Sequence, residues 1–249
     1  MGTHVTNPMA ETSPSTRGRI LAALCVFALI AGVTAQGFIG DRLVVLDDAA
    51  RTAANILANQ SLYRLGFTIF ILEMIAQVGV SAVCYDLLKP VNRSVARLSA
   101  IMGLTGCGIK TLARLFYYAP LILLGGAPYL SVIQPAQLEA LSLAFIKLNN
   151  QGANIGLIFF GFEMLLRGWL VFKSGFLPRF LGVLWIVSGL GWLTYLWPPL
   201  VSQALIGIAL FGFFAVAGVI ATSGWLLIRG VDEVKWRARA AVAATSIWR

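Results

Sequence analysis

Five ionisable side chains fall inside stretches that are otherwise apolar: Glu73, Lys110, Arg114, Glu163 and Arg167. A charge at the centre of a bilayer costs ~2.5–3.5 kcal/mol on insertion scales. Charges kept in such a place face the interior of a helix bundle, pair with one another or line a polar path. Glu163 and Arg167 are four residues apart, the spacing at which two side chains meet on one helix face. Gly103, Cys107 and Arg114 share the stripe of Lys110, and Gln77 and Ser81 continue that of Glu73. Two roles fit the set. It is a site for a small solute or a proton, or it is ionic glue between helices, with Arg114 and Arg167 snorkelling.

Other chemistry finds no motif. There is no GxSxG elbow, HExxH or CxxC in the chain. Cys25, Cys84 and Cys107 sit in separate apolar runs without metal-ligand spacing and read as small buried residues. Residues 103–111, GLTGCGIKT, imitate a phosphate-binding loop but put Ile109 where the lysine must follow the second glycine. Asp47 and Asp48 are adjacent, diverge on a helix, and suit a helix cap better than a metal pair. No catalytic residue, metal or cofactor is assigned, and an intramembrane enzyme is the weakest of the functional readings.

The elements that must position the five charges are membrane helices. Hydrophobic residues make up 59% of the 249 and charged residues only 12%, with a mean hydropathy of +0.84; a soluble domain is about a quarter charged. The pattern predicts an all-α polytopic bundle of six transmembrane helices. Their spans are about Ile20–Ile39, Leu62–Leu88, Leu98–Leu124, Ala153–Phe172, Leu181–Trp197 and Ser202–Ile228. Residues 1–16, with Pro8, Pro14 and the single histidine His4, form a disordered tail. Residues 17–230 form the membrane domain and 231–249 a basic cytoplasmic tail. The first span has a rival reading as a signal peptide cleaved after Val33-Thr34-Ala35. In the long connection 125–151, Leu138, Leu141, Phe145 and Leu148 fall at helical spacing, which suggests an amphipathic segment lying in the interface or packed on the bundle.

Residues 152–195 carry the strongest local signal. Two apolar runs flank a turn containing Lys173, Ser174, Gly175, Pro178 and Arg179. Gly161 and Gly168 lie seven apart in the first run, and Gly182 and Gly189 seven apart in the second. Seven residues are nearly two helical turns, so each pair marks one stripe, and small residues let membrane helices approach closely. A tightly packed hairpin follows. The block FFGFEMLLRGWLVFKSGFLPRFLGVLWIVSGLGWL resembles the signature of the bacterial domain of unknown function 4386 family. Asp47 to Phe67 and Tyr85 to Ala100 add to the resemblance, which covers most of the chain after the tail. It implies an integral membrane protein and supplies no reaction, ligand or catalytic residue.

Charge distribution predicts orientation. Twelve Lys and Arg residues fall on the N-terminal tail, the second and fourth turns and the C-terminal tail, against four (Arg42, Arg51, Arg64 and Lys147) on the other side. That bias puts both termini in the cytoplasm of a bacterial inner membrane. It also accounts for the net charge of +9 without nucleic acid, because the cations are spread over tails and turns. The lipid bilayer is the expected partner; the small-residue stripes also admit a membrane-protein partner or a second copy of the chain. Counted from the ends of their spans, Glu73, Lys110 and Glu163 come to about 12–16 Å below the outer face. Lys110 is therefore expected between or beside the two glutamates, with Arg114 nearer the outer interface. A membrane protein that binds or moves a small solute or proton and a structural or regulatory subunit of a membrane complex both remain open.

Overall fold

In the computed structural model, residues 13–196 and 205–245 are described, and all of their regular structure is helical. His4, Trp197, Pro198, Pro199 and the predicted start of the last span at Ser202 lie outside them. Helix α1 is Pro14–Val33. The Ser13 hydroxyl accepts from the Thr16 N–H and Pro14 occupies the first turn, where its missing N–H would have no helical partner. The helix thus starts inside the stretch expected to be a disordered tail: a proline preceded by a serine is a start signal there, not a break. A π-helical turn, Thr34–Gly40, and one further turn, Asp41–Leu43, continue α1. Asp48 caps α2, Ala49–Ala58, by accepting from the Arg51 N–H at 2.8 Å. Then come α3, Gln60–Leu88, and α4, Arg93–Leu123, capped by Asn92.

Helix α5, Pro135–Ser174, runs unbroken for 40 residues. At 1.5 Å per residue it is about 60 Å long, twice the ~30 Å hydrocarbon thickness. The expected separate amphipathic segment is therefore the first half of this helix. Its buried face carries Ser142, Leu143, Ile146 and Asn149, while Leu141 and Leu148 of the apolar stripe are exposed, as its interfacial alternative requires. Gly175, at φ 75°, closes α5 in the left-handed conformation, which costs glycine nothing. Helix α6, Arg179–Leu193, returns beside α5 and ends in a 3₁₀ turn, Thr194–Leu196. Helix α7, Leu205–Ile228, and the short α8, Glu233–Thr245, are the last helices among the described residues.

The chain is all-helical and membrane-type, but the expected count of six spans needs correction. Among the described residues four helices are long and apolar enough to cross: Pro14–Leu43, Gln60–Leu88, Pro135–Ser174 and Arg179–Leu196. A fifth results if Phe213–Ile228 and Glu233–Ala243, bent by 101°, count as one. Helix α4 has the length, at 31 residues, but Lys110, Arg114 and its many small residues dilute its hydropathy. It carries them because it packs between α3 and α5 and presents them inward.

Two apolar clusters bracket those charges. One, at the end of the bundle bearing the Lys173–Arg179 turn, gathers Leu21, Leu87, Leu170, Leu181 and Leu226. We call this the basic end. There α8 folds back: the Trp236 indole donates to the Leu87 carbonyl at 2.8 Å. Ser15 hydrogen-bonds the Glu233 carboxyl and holds it below the usual carboxylate range. The other cluster, at the far end, is built on Ile39, Ile56, Tyr63, Phe70, Tyr117 and Ile146. Tyr63 and Tyr117 stack with centroids 4.3 Å apart, and the Tyr63 hydroxyl donates to the Tyr117 carbonyl at 2.7 Å.

Candidate functional site

The five charges form a ladder between the two clusters, all of them buried. The rung nearest the basic end lies within α5. Arg167 donates to the Glu163 carboxylate one turn away. The Arg167 guanidinium carbon lies 5.1 Å from the centroid of the Trp185 ring, and the Trp185 indole is fixed by donating to the Thr222 hydroxyl at 2.9 Å. From α4 the Ser99 hydroxyl donates to the Glu163 backbone carbonyl at 3.3 Å. Glycine makes the room: a Cβ on Gly103 would stand 2.8 Å from the Glu163 carboxyl carbon. The space beside this pair, bounded by Ser81, Cys84, Ser99 and Leu170, holds no void of water size.

The middle rung joins two helices. The Lys110 ammonium of α4 donates to the Glu73 carboxylate of α3 at 3.0 Å, and it lies 5.7 Å from the Phe160 ring centroid. Gly156 clears the lysine stem, since a Cβ there would come within 2.6 Å of the Lys110 Cγ. Gly32 of α1 faces the Glu73 carboxylate in the same way, at 3.4 Å. Lys110 thus meets one of the two glutamates; the other is held by Arg167.

The rung toward the far end is Arg114. Its guanidinium donates to the Asn149 side-chain oxygen at 2.9 Å and lies 3.6 Å from the Phe70 ring centroid. No carboxylate among the described residues comes within 4.0 Å of it, and its Nε has no hydrogen-bond partner. Asn149 in turn donates to the Asn150 side-chain oxygen at 3.0 Å. These two amides line a pocket of about 140 Å³. Gln36 and Asp41 add polar groups to its wall, and Val44, Ile146 and Tyr117 also line it. The Gln36 amide donates to Asp41 at 3.2 Å. The Tyr117 hydroxyl is buried without a hydrogen-bond partner. The π-helical turn Thr34–Gly40 supplies Gln36 and Gly40 to this wall; such turns often occur at functional sites.

Pocket residues Gln36, Asp41, Tyr117, Asn149 and Asn150 are absent from the sequence-derived site. The one signal for them is the amide run Asn149-Asn150-Gln151 beside an apolar stretch.

The packing glycines pair across α5 and α6. A Cβ on Gly168 would stand 2.7 Å from the Gly182 carbonyl oxygen, and one on Gly161 would stand 3.0 Å from that of Gly189. A third reciprocal pair, Gly106 and Gly156, brings α4 against α5, with a Cβ on either 3.0–3.1 Å from the other's carbonyl oxygen. Glu163 and Arg167 share a face of α5 with Gly156, not with the Gly161 and Gly168 stripe, and Lys110 shares a face of α4 with Gly106.

The model of the domain of unknown function 4386 family matches residues 20–230, so the chain belongs to that family. An uncharacterised protein of Archaeoglobus fulgidus is 28% identical over 161 residues, covering 64% of this chain and 80% of its own. No solved structure matches.

Proposed function

We propose that this member of the domain of unknown function 4386 family binds a small polar solute in the pocket above Arg114, at the far end of its bundle. One observation carries the reading: a buried guanidinium with no carboxylate within 4.0 Å among the described residues stands behind the amides that line a void of about 140 Å³. A buried charge left uncompensated is costly, and a ligand that offers it a partner recovers part of that cost. The charge bias of the turns supports an outside position for the pocket. Movement of the solute inward is the natural extension, since the Glu73–Lys110 pair follows Arg114 down the bundle. The sealed Glu163–Arg167 pair supports the other reading of the charges, helix–helix glue, for that rung alone.

The test uses the full chain purified in lipid nanodiscs and a panel of small polar solutes, with thermal unfolding as readout. A saturable rise in midpoint is expected for some members. It should vanish in Asn150→Leu, which replaces one pocket amide by an aliphatic side chain. A panel that leaves the midpoint unmoved, or an equal rise in Asn150→Leu, would overturn the reading.

A further inference from the structure

Asp41 lines the pocket and Arg114 lies behind its wall; they have opposite sign, and neither has an oppositely charged side chain within 4.0 Å among the described residues, the Glu73 carboxylate being already paired with Lys110. Asp41 stands on the wall with one hydrogen bond, from Gln36, and no cation among the described residues within 4.0 Å. Arg114 lies behind Asn149 on the other side, held by that amide and the Phe70 ring. Arg114 is buried and Asp41 exposed at the pocket mouth, so the two attract ions of opposite sign to two sides of one space. A simple anion would answer Arg114 and meet repulsion from Asp41. A simple cation would do the reverse. One molecule bearing both charges satisfies both.

Size narrows the class. A cavity of about 150 Å³ accepts benzene, so a pocket of about 140 Å³ takes roughly six to eight non-hydrogen atoms. The remaining groups suit a short aliphatic stem with polar ends. Val44 and Ile146 offer an apolar wall, while the Asn149 and Asn150 amides offer hydrogen bonds. Resting on the solute-binding reading above, we propose that the ligand is a small zwitterion of the amino-acid type. Its carboxylate turns toward Asn149 and Arg114 and its ammonium toward Asp41.

The experiment compares matched molecules on the full chain in nanodiscs. The zwitterions are glycine, β-alanine and 4-aminobutanoate; the single-charge controls are butanoate and butylamine; the neutral control is butanamide. At least one zwitterion should raise the unfolding midpoint with an affinity about tenfold or more above either single-charge control, the worth of one charge-assisted hydrogen bond. Asp41→Asn, at an exposed position that leaves the fold intact, should bring that zwitterion down to the level of butanoate. Butanoate or butylamine binding as tightly as every zwitterion would overturn the zwitterion and leave a simple ion site. Preference for butanamide would leave only a neutral-solute site. Silence from the whole panel and from the broader solutes would overturn both readings.

Discussion

Arg167 and Arg114 are two guanidiniums of one bundle with nearly equal burial, 5% and 3% exposed. Both lie beside an aromatic ring and both leave Nε without a hydrogen-bond partner, but the rest of their surroundings differ. Arg167 has a carboxylate one turn away on its own helix, an indole beside it and no water-sized space. Arg114 has a neutral amide, a benzene ring and a pocket behind the amide. Burial and residue type alone do not separate a structural charge from an available one. The separation comes from whether the partner is already an ion and whether there is room for another. Local spacing decides the first at Arg167, because Glu163 rides the same helix. At Arg114 the partner must come from α5, and what α5 offers there is Asn149.

The most direct way to break the comparison is to neutralise one partner of the closed pair. Glu163→Gln strands Arg167 in a space without water, and removing one member of a buried pair costs about 3–5 kcal/mol. Denaturant unfolding of the purified chain should show that loss, and Glu163→Gln with Arg167→Met should recover most of it. Arg114→Gln, by contrast, exchanges a charge-to-amide hydrogen bond for an amide-to-amide one and should cost about 1 kcal/mol. If the two single changes cost the same, the distinction between the rungs is wrong.

A smaller effect tests the space around each rung. The extra methyl of Gly103→Ala would stand 2.8 Å from the Glu163 carboxyl carbon, which Arg167 and the packing of Ser81 hold in place. Overpacking of that kind costs about 1–3 kcal/mol. Gly40→Ala, on the pocket wall, meets only the Ala35 carbonyl at 3.3 Å and the end of the Gln36 side chain at 3.6 Å. Its cost should stay under about 1 kcal/mol. Equal destabilisation by the two alanines would show that the pocket end is as tightly filled as the sealed end.

How much of this could be read from sequence follows the range of each interaction. The helical class, the Glu163–Arg167 pair and the glycine stripes of α5 and α6 depend on spacings of four and seven residues within a helix, and those are visible in the chain. The pairing of Lys110 is not, because estimates of depth place Glu73 and Glu163 at nearly one level and leave the choice to helix rotation. Asn149-Asn150-Gln151 reads as the end of a connection outside the membrane because unpaired amides are costly in hydrocarbon. In the fold, α5 continues through it, since Asn149 accepts one hydrogen bond from Arg114 across the interface with α4 and Gly152 lies against Ala113. Six spans are expected from apolar runs alone; the run bearing Lys110 and Arg114 falls short of span composition because its polar groups have partners inside the bundle.

The smallest expected effect is the most discriminating. The Tyr117 hydroxyl is buried against Gly66, whose added Cβ would stand 2.7 Å from it, and it has no hydrogen-bond partner. Its ring is held independently by stacking on Tyr63 and by the edge contact with Phe70. Tyr117→Phe keeps that packing and deletes only an unsatisfied polar atom, so the unliganded protein should be unchanged or more stable by up to about 1 kcal/mol. The sealed rung has an unpartnered atom of its own, Arg167 Nε, but no change there spares the ion pair with Glu163. The Tyr117 hydroxyl has no exposed surface and lies against Gly66, so solute affinity in Tyr117→Phe should stay within about twofold of the parent. Unchanged affinity with unchanged or higher stability, on one substitution, is what a hydroxyl packed outside the pocket produces. If Tyr117→Phe instead destabilises the unliganded chain by more than about 1 kcal/mol, the hydroxyl already serves the resting fold; a loss of affinity beyond about tenfold would place it in the pocket wall.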